Sequence, residues 1–459
     1  MLSAVLLLSG MMSLPVRYNP VRFSNGSQRR EVRYPVAEVV VKLNLPHQPS
    51  FFRAAQLADV PARFLDVLPR LADVVPDSLH VLHLMLYFHG MPDILSQVLD
   101  IYGVDCDNTP ITITQEDVHI MLRTILLSAL AVFMASPSFA LENDTRVFKI
   151  DPEIRADKVR FHNRYGIELT GDMYFPKGFD PSKKYAAIAV CGPFGAVKEQ
   201  VSGLYAQEMA KAGYVAVAFD PSFTGESGGN ARYVPSPEIN TEDFSAAVDF
   251  LSVQDYVDPE RIGIIGVCGW GGIGLNAAAA DTRIKASVIS TMYDMSRVSR
   301  NGYNDANDSA DVRYAMKKAM NDQRTKDYKA GTYARAGGVV DPLPEDAPQF
   351  VKDYYAYYKT PRGYHARSLN SNEGWNATGA LPMINMPMLT DAEDIRSAVL
   401  IIHGEKAHSR YMGEDTFKRL KGDNKKLMII PGASHCDLYD NMEKIPFAEI
   451  EAFFAEYLK

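Results

Sequence analysis

The run GIIGVCGWGGIGLNAAAA, from Gly263 to Ala280, constrains the fold of this chain more than any other segment. Its apolar beginning reads as a buried strand and its Ala-rich end as a helix, so Cys268 falls where the chain changes direction. Gly266, Gly269, Gly271 and Gly272 lack the Cβ atoms that would obstruct so sharp a turn, and glycine accepts positive φ there. A thiol held in this turn stands clear of the sheet, at a helix N-terminus whose dipole favours a thiolate. The layout is that of a nucleophile elbow with sulfur in place of oxygen. The plainer alternative is a structural cysteine buried in a glycine-rich turn.

Composition narrows the partners. The chain has 459 residues, 47% of them hydrophobic and 10% aromatic, with a formal net charge of −8. Length suggests two or three domains. The acidic balance argues against a nucleic-acid partner, and no dense basic stretch opposes that reading. Cys106, Cys191, Cys268 and Cys436 are too few for a disulfide scaffold, and no CxxC pair suggests zinc. No metal and no other cofactor is expected.

Residues 121–140 read MLRTILLSALAVFMASPSFA. Arg123 forms a short basic n-region, Ile125 to Met134 an apolar h-region, and Ser138-Phe139-Ala140 a cleavage site of the A-x-A kind. This is the pattern of a secretory signal peptide, and its apolar run is short for a membrane span. Met121 is then expected to be the start, with residues 1–120 a poorly defined extension outside the native protein. The exported enzyme would begin near Leu141, reside in a bacterial periplasm and keep no stable membrane anchor. A helix joining two domains and a signal anchor are the competing accounts. Should residues 1–120 be genuine and block export, the chain stays cytoplasmic. Residues 1–13 are also apolar but lack a basic n-region and a clean cleavage site.

From residue 141 to 459 strands and helices alternate. Residues 158–162 and 167–175 form a hairpin of period two around Asn163–Gly166. The apolar run Tyr185–Val190 has the look of a central parallel strand. Helix Val201–Lys211, strand Tyr214–Phe219 and a helix from Thr241 to Val253 follow, with Thr241 the expected N-cap. Strands Arg261–Val267 and Lys285–Ser290 flank the elbow and its helix. The alternation breaks over 293–390, a stretch rich in Asn, Asp, Tyr and Met, which is expected to form a helical cap over the site. A solvated helical hairpin without a catalytic role is the alternative there. Strand Ala398–His403, helix Glu414–Leu420, strand Lys426–Ile430 and helix Phe447–Leu458 complete an α/β fold with a doubly wound, mostly parallel sheet.

A thiol nucleophile needs a base, and the base needs an orienting group. His435, in IIPGASHCD just past the last buried strand, is the candidate base. Glu405, in the loop HGEKAHS after the preceding strand, is the first candidate for the acid, and Asp294 the second. Donors for an oxyanion are expected from the amides of Gly269 and of Phe194, since Pro193 has no amide hydrogen.

The segments VCGPFGAVKEQ, AFDPSFTGESGG, GVCGWGG, LIIHGEKAHS and IPGASHCD, in that order, resemble the α/β-hydrolase superfamily and its dienelactone-hydrolase-like branch. The resemblance covers about residues 150–459. It implies hydrolysis of ester, thioester or lactone bonds in a small-molecule acyl substrate, through an acyl-enzyme on Cys268. Three departures stand out. Trp270 replaces the small residue two places after the nucleophile. Ala407 occupies the place of a common aspartate, which is why Glu405 is invoked. Gly192 replaces a glutamate characteristic of dienelactone hydrolases, so a dienelactone itself is not implied.

Two readings from other classes remain. Gly269-Trp-Gly271-Gly-Ile-Gly274, with Asp294 twenty residues on, matches a dinucleotide-binding fingerprint and would make the protein an oxidoreductase. A catalytically inactive hydrolase fold acting as a binding protein is the other. Export would also expose the thiol to oxidation, with Cys191 and Cys436 as possible disulfide partners of Cys268 and three independent buried thiols as the alternative. The substrate and the oligomeric state stay open at this level.

Overall fold

The computed structural model divides the chain into two units, Met1–Ser136 and Pro137–Lys459. It describes residues 144–459 and four short strands nearer the N-terminus. Among the latter, Arg17–Tyr18 pairs antiparallel with Ala37–Glu38, and Val40–Leu43 with Ser50–Arg53. The expected signal peptide at 121–140 lies outside the described residues, as does most of the expected extension 1–120.

An eight-stranded sheet organises the second unit. Its strands are β1 (Arg155–His162), β2 (Glu168–Phe175), β3 (Tyr185–Cys191), β4 (Val215–Phe219), β5 (Val257–Val267), β6 (Ile284–Ser290), β7 (Ala398–Gly404) and β8 (Lys425–Ile430). Across the sheet the order is β1-β2-β4-β3-β5-β6-β7-β8. The hairpin β1–β2 and the pair β2–β4 are antiparallel, and every pair from β4 to β8 is parallel. The expected fold class is the observed one. Central strands are apolar on both faces because helices cover both. Ala186, Ile188 and Val190 of β3 enter one core, and Ala187, Ala189 and Cys191 enter the other.

Helices α1 (Val201–Lys211), α2 (Pro237–Ser252) and α3 (Gly269–Ala280) form the crossovers of the first half. The start of α2 differs from expectation. Ser236, not Thr241, is the N-cap, its hydroxyl accepting the Ile239 amide at 3.2 Å with Pro237 at the first helical position. Proline there costs nothing, because its missing N–H would have been an orphan.

Between β6 and β7 run α4 (Met295–Asn301), α5 (Ala310–Ala330), α6 (Gln349–Tyr358) and α7 (Ala380–Asn385). Their roles differ. In α5 Asp327 alone is buried, whereas α6 sinks Tyr357 and Tyr358 into the core on the site's side of the sheet. Helices α8 (Arg410–Arg419), α9 (Asp437–Asp440) and α10 (Phe447–Tyr457) close the chain.

Candidate active site

Strand β5 runs into Cys268, which carries φ 59° and ψ −127°, and α3 starts at the next residue. The strain of the turn therefore sits on the cysteine. None of Gly266, Gly269, Gly271 and Gly272 has positive φ; what those positions need is space. A Cβ on Gly266 would lie 2.3 Å from the Trp270 carbonyl oxygen, and one on Gly272 would lie 2.2 Å from that of Tyr293. The Cys268 amide donates to Ser290 O at 3.0 Å and its carbonyl accepts the Tyr293 amide at 2.9 Å, which ties the elbow to the end of β6. A strained non-glycine residue held by its neighbours in this way is a mark of functional sites.

The thiol is buried, and four groups act on it against that burial: the hydroxyls of Tyr439 and Tyr354 and the backbone amides of Phe194 and Gly269. Burial raises its pKa, and those groups only partly oppose the rise. The two residues whose amides were expected to form an oxyanion hole are adjacent, a Cβ on Gly269 falling 2.7 Å from that of Phe194, and both amides favour the charged form of the Cys268 sulfur. The loop that carries Phe194 is held by the cap. Asn370 Nδ2 donates to Phe194 O at 2.8 Å, Leu369 N donates to Gly195 O at 2.8 Å, and Trp375 stacks on the Phe194 ring at 4.4 Å between centroids.

His435 follows β8 and is buried. Its Nδ1 lies 2.8 Å from Thr291 Oγ1 and 2.8 Å from Ser409 Oγ, and its Nε2 lies 3.1 Å from the Tyr439 hydroxyl. The rings of Tyr293, Tyr354, His408 and Tyr439 surround it at centroid distances of 5.1 to 5.5 Å. Burial holds its pKa well below the ordinary value, and His408 and His403 nearby push the same way. His435 is neutral in the resting protein.

Neither candidate acid reaches it. Glu405 is exposed and accepts the Gly432 amide at 2.8 Å. Asp294 caps α4, accepting the Arg297 amide at 2.9 Å. The physical reason is direction: Glu405 turns outward along the β8 turn, and Asp294 is committed to an orphan amide of its helix. The Nδ1 side of His435 meets two hydroxyls where a carboxylate was expected. Ser409 sits at the N-cap of α8 yet makes no side-chain cap bond, so its oxygen is left for the imidazole.

Trp270 is buried on the face opposite the thiol, edge-on to Phe219 and Phe244, so the bulk that looked foreign to an elbow fills the core beneath it. The glycines of the dinucleotide-like run are packed against protein: Gly269 against Phe194 and Met295, Gly271 against Met292, Gly272 against Tyr293 and Gly274 against Phe244, and Asp294 is occupied as a cap. Cys191, Cys268 and Cys436 are free thiols. Cys191 belongs to the opposite core and donates to Phe219 O at 3.5 Å, so it cannot approach Cys268, whereas Cys436 shares the core of Cys268.

Thr291, Ser409, Tyr354 and Tyr439 were not foreseen as site residues. Three faint signals preceded them: Tyr354 opens the aromatic run Tyr354, Tyr355, Tyr357 and Tyr358 of the expected cap, and the other two are positional. Ser409 stands in the same HGEKAHS loop as Glu405, and Tyr439 lies four residues after His435.

The comparisons with known proteins agree with the fold. The chain is 51% identical over 314 residues to the uncharacterized Pseudomonas aeruginosa protein PA2218, covering 68% of this chain and 84% of that one. The crystal structure of that protein matches with a TM-score of 0.67 at 50% identity, over 69% of this chain and 98% of the other. The α/β hydrolase GrgF of a Penicillium species shares the fold at 17% identity and a TM-score of 0.55, over 66% of this chain and 99% of its own. Thiohydrolase aneE of Aspergillus aculeatus is 35% identical over 137 residues, 30% of this chain and 42% of that one. The loop motifs had suggested a dienelactone-hydrolase-like branch, but the family model that matches, over residues 165–437, is that of the X-Pro dipeptidyl-peptidases, S15. The chain belongs to the X-Pro dipeptidyl-peptidase (S15) family and to the α/β-hydrolase superfamily.

Proposed function

We propose that the protein hydrolyses thioesters, and activated esters or lactones, of uncharged acyl groups by acyl transfer to Cys268. The observation that carries this reading is a thiol held at positive φ where strand turns to helix, with Gly269 packed directly against Phe194 of the neighbouring loop. The sulfur attacks the carbonyl carbon, and the two amides turn from sulfur to the oxyanion that forms beside it. His435 takes up the thiol proton, returns it to the leaving group, and then activates water for deacylation. In the tetrahedral intermediate the Cys268 thiolate leaves more readily than an alkoxide, so alkyl esters revert to substrate, whereas thioesters and activated esters carry leaving groups good enough to go forward. The 35% identity to a thiohydrolase over 137 residues supports the thioester class.

The charge of the site supports an uncharged acyl group. Burial keeps Tyr354, Tyr358 and Tyr439 protonated and His408 and His435 neutral. The family name raises a second reading, removal of X-Pro dipeptides. An exopeptidase of that kind must hold a substrate's N-terminal ammonium, and a ring of phenols and neutral imidazoles gives it no counter-charge. Purified full-length protein assayed on benzoyl and acetyl thioesters and on an X-Pro anilide decides between them. Thioester turnover lost by at least about 1,000-fold in Cys268→Ala is the expected result, on the scale of removing a nucleophile. Faster cleavage of the anilide, or undiminished thioester turnover in the variant, refutes the proposal.

A further inference from the structure

Tyr439 is buried in the same core as Cys268 and in contact with His435, the two groups that must exchange a proton. Its hydroxyl lies 3.1 Å from His435 Nε2 and is the group that most opposes the burial-raised pKa of Cys268, while the opposite edge of the imidazole is engaged by Thr291 and Ser409. A phenol has one hydrogen to give and lone pairs to accept with, which is what a bridge between S–H and an unprotonated ring nitrogen requires. We propose that Tyr439 relays the proton between Cys268 and His435, a step that rests on Cys268 being the nucleophile.

The step balances without any co-reactant. The S–H bond of Cys268 breaks and its proton bonds to the Tyr439 oxygen. In the same motion the Tyr439 O–H bond breaks and that proton bonds to His435 Nε2. Tyr439 ends as it began, a neutral phenol; the thiol has become a thiolate and the imidazole an imidazolium. Leaving-group protonation runs the path backwards. The relay requires His435 to carry its resting proton on Nδ1, and the two hydroxyl oxygens at 2.8 Å accept from that N–H.

Several features suit the tyrosine to this task. Burial drives its own pKa well above 10, so it transmits a proton without resting as a phenolate. Its ring is held edge-on by Tyr357 at 5.1 Å and Tyr358 at 6.3 Å between centroids, which fixes the hydroxyl. Tyr354 supplies the comparison: it too lowers the Cys268 pKa, but its hydroxyl is bonded to that of Tyr293 at 3.0 Å, and no hydrogen bond joins it to His435.

The experiment is single-turnover acylation of the full-length protein by 4-nitrophenyl acetate in wild type, Tyr439→Phe and Tyr354→Phe, with Cys268→Ala as control. Near-UV circular dichroism and melting temperature verify each fold. Tyr439→Phe is expected to slow acylation by about 100-fold or more, the usual worth of a positioned proton-transfer group, and Tyr354→Phe by no more than about fivefold. Wild-type acylation in mixed light and heavy water should give a curved proton inventory, because two protons move together. Acylation of folded Tyr439→Phe within about threefold of wild type, equal losses in both variants, or a linear inventory would overturn the relay while leaving the acyl-enzyme intact. A wild type that forms no acyl adduct on Cys268 instead removes the reading on which the relay stands.

Discussion

Burial decides the resting protonation of Cys268 and His435. Both are enclosed, so the thiol is pushed up and the imidazole down, and a thiolate–imidazolium pair is disfavoured before substrate arrives. A carboxylate at Nδ1 would oppose this by stabilising the imidazolium; hydroxyls from Thr291 and Ser409 orient the ring without adding charge. Removing one of them is expected to cost about tenfold in kcat, the worth of about 1.4 kcal/mol of hydrogen bonding. Steady-state kinetics of Ser409→Ala should show that loss with KM little changed. Glu405→Gln should stay within about twofold of wild type, and a larger loss in Glu405→Gln than in Ser409→Ala would reinstate the carboxylate. The positions of Cys268 and His435 were legible because strand ends and glycine spacing place them. The partner of His435 was not, since closeness to a strand end does not say which way a side chain turns: Glu405 points to the Gly432 amide and Ser409, four residues on, points inward.

Elements bring these residues together with different degrees of legibility. Strands β3, β4, β6 and β7 are short apolar runs between turn residues, with bounds within a few residues of the expected ones, whereas β5 begins four residues before the expected Arg261 through the polar stretch Asp258–Glu260. The start of α2 was missed although Ser236-Pro237 is itself a cap signal, stronger than Thr241 further on. The cap was legible only as an interruption of the alternation. Its periodicity does not reveal that α6 turns Tyr354 toward the thiol while α5 stays outside, because that depends on packing against loops distant in sequence. The segment after α6 also fixes the Phe194 peptide through Asn370. Asn370→Ala is expected to lower kcat by about tenfold or more, short of the 100-fold or greater loss that follows removal of an oxyanion donor itself. A stopped-flow acylation rate checks it, and an unchanged rate would separate the cap from the oxyanion loop.

At the scale of the domain, the loops after β3 and β4 are joined by a buried ionic network. Lys198 Nζ contacts Glu199 at 2.6 Å, Asp220 at 3.3 Å and Glu226 at 2.6 Å, and Arg367 of the cap pairs with Glu199. Asp172 of β2 lies beside this network, and burial pushes its pKa up to about 7, with Lys198 opposing. A raised carboxyl pKa means that the folded state holds the proton longer than the unfolded chain. The stability it contributes is complete below about 4 and is lost as pH rises through about 7. Asp243, raised to about 6, adds to the same slope. Urea melts from pH 4.5 to 8 should therefore show a smaller fall in stability for Asp172→Asn than for wild type, and parallel curves would contradict the assignment.

Every level of the account depends on the elbow sulfur being the atom that takes the acyl group. The most direct measurement is intact-protein and peptide mass spectrometry after rapid acid quench of a reaction with a slowly deacylating benzoyl thioester. A single added benzoyl mass on the peptide that contains Cys268, absent in Cys268→Ala, is the expected result. A benzoyl group on any other residue, or full turnover by Cys268→Ala, would contradict it.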